Sequence, residues 1–276
     1  MPTGDAPSGR LRILTLNLWA HGGEWRSRRG VLVDGLRELQ PDLIAFQEAI
    51  RTDTYDQAAE LLAGSFAVEH QTARDPDAVG LSVASRWPIV RATELDLHVT
   101  PNDFPCATLT AEVAVPPPIG PVLFVNHNPS WQLAAESERE VQAVAAARSI
   151  DDAVAGRDMH VVVAGDLDAD PDAGSIRFWT GRQAINGVSV CYRDAWESAH
   201  PGEPGHTFSP QNPLMADAAR DWPFRRIDYV FVRCSEHAGS TLVIEDCDLV
   251  FNEPVDGVWA SDHFGVFAQL RVPGNG

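Results

Sequence analysis

Residues 11–18, LRILTLNL, alternate apolar and polar side chains and close on Asn17 and Leu18, the pattern of a strand entering a core. Residues 28–40 follow with Val31, Leu32, Leu36 and Leu39 at helical spacing and stop at Pro41, which cannot continue a helical hydrogen-bond ladder. Residues 42–48, DLIAFQE, then read as a short buried strand ending in a carboxylate, Glu48. This strand–helix–strand unit sets the class of the fold as α/β.

The same alternation continues downstream. A second helix is predicted over residues 55–62, ended by Gly64, and strands over 79–84, 89–95, 107–115 and 121–126. Residues 134–154 are rich in Ala and Glu and free of Gly and Pro, so they form several helical turns before the strand MHVVVAG at 159–165. Residues 200–213, HPGEPGHTFSPQNP, are too dense in breakers for regular structure and read as a surface loop. Strands are predicted again over 226–232, 241–250 and 264–271. With no repeat or low-complexity linker between the halves, the expectation is one domain over residues 11–272, preceded by a disordered tail over 1–10.

Composition narrows the function. The 276 residues carry 39 Asp+Glu against 21 Lys+Arg, a formal charge of −18. All 21 basic residues are arginine, which excludes lysine Schiff-base chemistry and the phosphate-loop lysine. No stretch has the length of a signal peptide's apolar region or of a membrane span, so a cytoplasmic protein is expected. The lysine-free, Ala/Arg/Val/Pro-rich usage fits a GC-rich bacterial genome. The four cysteines, Cys106, Cys191, Cys234 and Cys247, have neither zinc-site nor disulfide-framework spacing and are expected reduced and buried. Serine-hydrolase, zincin and phosphate-loop motifs are absent from the sequence.

Polar residues collect at the predicted strand ends, where such a fold presents loops around a shared cleft. Asn17, Glu48, Asn126-His127-Asn128, Asp166-Leu167-Asp168, Asp228 and Ser261-Asp262-His263 each close, open or flank a strand. Carboxylates and amides arriving from distant parts of a chain suit an oxygen-liganded Mg²⁺, Mn²⁺ or Ca²⁺, and two histidines nearby can manage protons.

In order, LNLW, QE, NHNPSW, GDLDADPD, RRIDYVF and SDHFGV resemble the endonuclease/exonuclease/phosphatase superfamily, a match that covers nearly the whole chain from Leu14 to His263. The resemblance implies a four-layered α/β sandwich, two mainly antiparallel sheets with outer helices, and metal-dependent hydrolysis of a phosphoester. It implies that Asn17 and Glu48 hold the metal, with Glu48 the principal ligand, and that Asp262 lies beside it. It further implies that Asp166 orients the attacking water or another reacting oxygen, that His263 pairs with Asp228, and that the middle histidine contacts the phosphate. The expected ion is Mg²⁺ or Mn²⁺, with Ca²⁺ the alternative.

Two positions depart from the family pattern. Where the family shows Thr-His, the chain reads Asn126-His127-Asn128; His127 is placed at the histidine position, with Asn128 the alternative and a substrate contact. Where the family shows Gly-Asp-x-Asn, the chain has Asp168, which adds a charge that a phosphate would repel by about 4 kcal/mol at about 4 Å and an effective dielectric near 20. A proton, a second divalent ion shared with Asp166, or a less anionic substrate would offset this, and the second ion ranks first. The acidic run 166–172 is not a calcium loop, since Pro171 and Arg177 stand where glycine and glutamate are needed. Arg226 and Trp131 complete the expected substrate contacts.

The charge points to a small-molecule or lipid-headgroup phosphoester rather than duplex DNA, because a nucleic-acid enzyme neutralises several phosphates with Lys or Arg. Arg26, Arg28 and Arg29 form the one dense basic cluster. The alternatives are a nuclease acting on DNA or RNA and a non-catalytic binding protein using the same cleft. Nothing in the sequence calls for an obligate protein partner.

Overall fold

The computed structural model describes residues 9–98, 106–215, 221–237 and 239–274. The expected disordered tail, residues 1–10, lies outside the described residues as far as residue 8, and Arg10 already pairs with Arg271 in the first strand. Strands β1 (Arg10–Asn17) and β2 (Leu43–Ile50) run parallel, joined through helix α1 (Trp25–Leu39). Strands β7 (Val122–Asn128) and β8 (His160–Asp166) repeat the arrangement through α3 (Glu136–Val154).

Each parallel pair sits in the middle of a six-stranded sheet whose other neighbours are antiparallel. The first sheet adds β4 (Val79–Ser85) and β3 (Ala67–His70) beside β2, and β12 (Gly265–Arg271) and β11 (Val243–Val250) beside β1. The second adds β6 (Ala107–Val113) and β5 (Ile89–Asp96) beside β7, and β10 (Asp228–Arg233) and β9 (Tyr192–Asp194) beside β8.

Strand alternation assigns each face. Leu11, Ile13, Leu43, Ala45, Val122, Phe124, Val162, Ala164, Val230 and Val232 share the core between the sheets. Leu14, Leu16, Ile44 and Phe46 turn outward under α1 and α2 (Gln57–Leu62). Leu123, Val125, Val161 and Val163 turn outward under α3 and α4 (Gly174–Trp179). The four-layer sandwich expected from the sequence is therefore the architecture observed.

The sequence reading missed β3, β9, α4 and α5 (Ala195–Ala199), which span three to six residues each. That is too short for periodicity to register; α5 is instead set by its cap, where the Asp194 carboxylate accepts from the Glu197 N–H at 3.3 Å. Of the cysteines, Cys106 and Cys247 are buried as expected, but Cys191 is exposed and Cys234 half-buried, because they lie at the short edge strand β9 and just beyond β10. Among the described residues no helix is long and apolar enough to cross a membrane.

Two parallel pairs side by side bring the carboxyl ends of β1, β2, β7 and β8 to one end of the sandwich. The antiparallel neighbours β10 and β12 begin there: Asp228 pairs with Asp166, and Thr15 with Val266. Strand ends of this kind hold ligands in open α/β sheets.

Candidate active site

Towards that end the inner faces change from apolar to polar. Gln47 donates to Asn126 Oδ1 at 2.7 Å, and Asn126 donates to the carbonyls of Phe46 and Ser82 at 2.8 and 3.0 Å. This fully buried seam ties the sheets together directly below a cleft of about 270 Å³. Its lining includes Glu48, Asn128, Asp166, Asp168, Asp262 and His263, with aromatic walls from Trp19, Trp131, Phe208 and Trp222.

Asn17 joins the acids. Its Nδ2 donates to Glu48 Oε1 at 3.1 Å and to Asp166 Oδ2 at 3.0 Å, one carboxylate from each sheet, while its Oδ1 accepts from the Trp19 N–H at 2.9 Å. Glu48 reaches the cleft by a device that alternation alone does not provide. In β2 the even positions Ile44 and Phe46 point outward, so Glu48 would follow them. The pairing with β4 shifts between Phe46 and Ala49, and Glu48 takes a left-handed φ of 50°. The bulge re-aims the carboxylate into the cleft.

The approach of β8 to β7 depends on Gly165, where a Cβ would run into the carbonyl of His127. Beyond it the strand turns: Asp168 has φ 52°, and its N–H donates to Asp166 Oδ1 at 3.2 Å. Asp166 and Asp168 thus face the same cleft across a turn. On the facing strand, Asp228 accepts from His263 Nδ1 at 3.0 Å, leaving Nε2 3.8 Å from Asp166 Oδ2.

Burial, followed by mutual repulsion, raises the proton affinity of the acids. Burial and Asp262 raise Glu48, burial raises Asp262, and burial with Asp168 and Asp228 raises Asp166 well above the carboxylate range. Burial pushes Asp168 up to about 7, against His263 and Arg225. Burial opposes charge on His263, but Asp228, Asp166 and Asp262 outweigh it and hold the imidazole well above its ordinary value. An all-oxygen set of buried carboxylates that repel one another fits a divalent cation, which removes the repulsion. Asn17, Glu48 and Asp262 are the residues that would hold it.

Arg28, read from the sequence only as part of a basic cluster, is buried beneath the site. It occupies the inner stripe of α1 with Leu32 and Leu36. Its guanidinium donates to the carbonyls of Leu18, Gly22 (2.8 Å) and Ala260 (3.0 Å) and lies 5.1 Å from the Trp19 ring centroid. Burial lowers it to about 10, opposed by Asp262 and Glu48. It therefore clamps the loops after β1 and before β12, which flank Asn17 and Asp262. The sequence signal was available: an arginine four residues before Leu32 and eight before Leu36 stands in the core register.

Two expected contacts need correction. His127 does not face the cleft: it is odd-numbered like Leu123 and Val125, so it points outward, 2.8 Å from Thr108 Oγ1 and edge-on to Trp179. Asn128, on the inner parity, lines the cleft in its place. Arg226 also turns away and binds Asp194 at 2.6 Å. Alternation back from Asp228 puts Arg226 in the cleft only if the strand extends that far, and β10 starts at Asp228; Arg225 lines the cleft instead. Trp131 lines the cleft as expected, 43% exposed.

His127 carries a separate stability expectation. Burial pushes its pKa down to about 3, against about 6.5 when unfolded. The neutral buried ring contributes stability that is complete above pH about 6.5 and lost as the pH falls towards about 3, at about 1.4 kcal/mol per pH unit. Urea unfolding between pH 4 and 6 should show a slope against pH shallower by about one proton in His127→Leu. Parallel slopes would remove His127 from the acid limb.

Fold and cleft together define an α/β-sandwich protein with an acidic site suited to hydrolysis, shared between two sheets. The chain belongs to the Endonuclease/Exonuclease/phosphatase family, whose sequence pattern matches residues 14–263. Enzymes of this family are generally phosphoester hydrolases that use divalent metals. TDP2 from D. rerio, solved with a single-strand DNA product, is 20% identical with a TM-score of 0.75, over 96% of this chain and all of that one. An endonuclease/exonuclease/phosphatase from Bacteroides vulgatus is 17% identical (TM-score 0.71, 96% of this chain, 99% of that chain). The human Nocturnin catalytic domain, solved with a sulfate anion, is 14% identical (TM-score 0.71, 96% and 94%). At these identities the likeness is one of fold. No curated protein matches the chain in sequence.

Proposed function

We propose that the protein is a divalent-metal-dependent phosphoesterase acting on a small-molecule or lipid-headgroup substrate. One observation carries the reading: acids from both sheets and the Asp228–His263 pair converge on a single cleft. Mg²⁺ or Mn²⁺, with Ca²⁺ the alternative, would be held by Glu48, Asp262 and Asn17. When bound, such an ion supplies positive charge to the non-bridging oxygens of the ester.

Asp166, whose affinity for protons is raised, orients the attacking water and takes its proton at a carboxylate oxygen. His263, fixed at Nδ1 by Asp228, presents a protonated Nε2 to the departing oxygen. Asn128 offers its amide to the phosphate where His127 had been expected. The aromatic walls exclude water and hold the ester's organic group.

A small substrate is favoured because the described lining holds one arginine and no other Lys or Arg against Glu48, Asp166, Asp168 and Asp262. The test is hydrolysis of bis(p-nitrophenyl) phosphate, p-nitrophenyl phosphate, phospholipids and oligonucleotides with titrated Mg²⁺ or Mn²⁺. Small esters should turn over faster than DNA, and DNA binding should collapse with salt. Tight, salt-resistant oligonucleotide binding with faster cleavage would establish the nuclease alternative. Binding without turnover of any ester would establish the non-catalytic one.

Asp168 tests the number of ions. Its carboxylate accepts no side-chain hydrogen bond among the described residues and opens on the cleft beside Asp166. If the two share a second cation, Asp168→Asn weakens the metal dependence and lowers turnover, and this is the expected result. If Asp168 only repels substrate, the variant keeps its metal titration and turns over equally well or better.

A further inference from the structure

We infer that Arg225 is a substrate-binding residue whose Nη1 reads an anionic oxygen of the phosphoester. This rests on the hydrolase reading above and adds its anion contact. The backbone sets the position: Arg225 N–H donates to Phe208 O at 2.9 Å, and the Phe208 N–H donates back at 3.0 Å. Phe208 also bridges His263 on its other side. Arg225, Phe208 and His263 therefore stand in one cross-strand row, and all three line the cleft.

The guanidinium is fixed as well. Nε donates to Asp170 Oδ2 at 3.2 Å and Nη2 to the Asp168 carbonyl at 2.7 Å. The residue is buried, 6% exposed; Nη1 has no acceptor among the described residues, and Arg225 lines the cleft. A planar cation with two of its three nitrogens already held loses little further freedom when the third meets an anion. It is the one Lys or Arg in the described lining, so an anionic group entering among four carboxylates has this one fixed side-chain cation of Lys or Arg type to meet. A lysine ammonium also has three donors but lacks the rigid planar fork, so two such contacts would not fix the direction of the third.

The experiment compares Arg225→Gln, Arg225→Ala and Asp170→Asn in the full chain with Mg²⁺ present. KM and kcat for bis(p-nitrophenyl) phosphate are measured, and inorganic phosphate is titrated calorimetrically as a probe that needs no turnover. Arg225→Gln should raise KM and weaken phosphate binding about 10- to 100-fold, with kcat changed by about threefold or less. Guanidinium chloride should restore part of the phosphate affinity to Arg225→Ala. Asp170→Asn breaks the brace but leaves the cation, so phosphate should bind at least as well as to the wild type. Equal losses in Asp170→Asn and Arg225→Gln, or a fall in kcat with KM and phosphate affinity unchanged, would reduce Arg225 to a brace of the turn and overturn the inference. Absence of turnover by the wild type defeats the hydrolase reading instead, and the phosphate titration still judges Arg225.

Discussion

Glu48→Gln should lower metal-dependent turnover by roughly 10³-fold or more while raising the thermal midpoint of the metal-free protein. Both effects follow from one carboxylate. Burial and Asp262 push the Glu48 pKa up, opposed by a hydrogen bond from the Asn17 amide and by the charge of His263. Glutamine keeps the size and removes the charge, which relieves repulsion on the order of 1–3 kcal/mol at an effective dielectric near 20. For a chain of this size that is a few degrees of midpoint, at about 2–4 °C per kcal/mol.

The sign of the pH dependence agrees. Carboxylates whose pKa is raised on folding favour the folded state below their unfolded value near 4.3, and that contribution is lost as pH rises through the folded value. Added Mg²⁺ or Mn²⁺ should reverse the trend in the wild type, and its stabilising shift should shrink in Glu48→Gln. Thermal scans with and without ion, beside turnover at limiting ion, check both halves. Unchanged turnover at limiting ion would take the metal role away from Glu48.

His263→Ala and Asp228→Asn should each cost about 10²- to 10⁴-fold in kcat/KM, and the double variant should cost little more than the worse single one. Residues that act as one unit lose most of their effect at the first deletion. The unit here is the 3.0 Å contact between His263 Nδ1 and the buried Asp228 carboxylate. Asp228 is also the largest of the charges that raise His263 against its burial. Asp228→Asn should therefore move the alkaline limb of the kcat/KM profile to lower pH. Additive losses in the double variant, with the limb unmoved, would show that the two side chains work separately.

Period-two alternation was enough to find most of both the fold and the cleft. Ile13 and Thr15 face inward, so Asn17 does too; Val162 and Ala164 carry Asp166 inward, and Val230 and Val232 carry Asp228. The same rule, applied strictly, would have chosen Asn128 over His127, since Val122, Phe124 and Asn126 fix the inner parity of β7. It fails where the chain leaves the pleat. Glu48 reaches the cleft through a bulge, Asp168 through a left-handed residue, and Arg225 through a bridge that precedes β10. Those are backbone events set by distant partners, such as the Phe208 segment against Arg225, and no local pattern marks them. Arg28 escaped for a different reason: a guanidinium in a core stripe reads as a surface charge until the carbonyls that surround it are in place.

The bonds around Asn17 also bear on how the protein is made. Its amide reaches Asp166 across 149 residues, and its carbonyl receives the Ser261 hydroxyl across 244. A ribosome releases β1, α1 and β2 well before Asp166 and Ser261, the distant partners that complete the bonds of Asn17. Until then the nascent chain lacks Asp166, Asp228, Asp262 and His263, so an amino-terminal fragment of β1, α1 and β2 owns no working cleft. Such distant closures are slow to form, which makes the appearance of activity a late clock for folding. Refolding followed by turnover should lag behind refolding followed by far-ultraviolet circular dichroism.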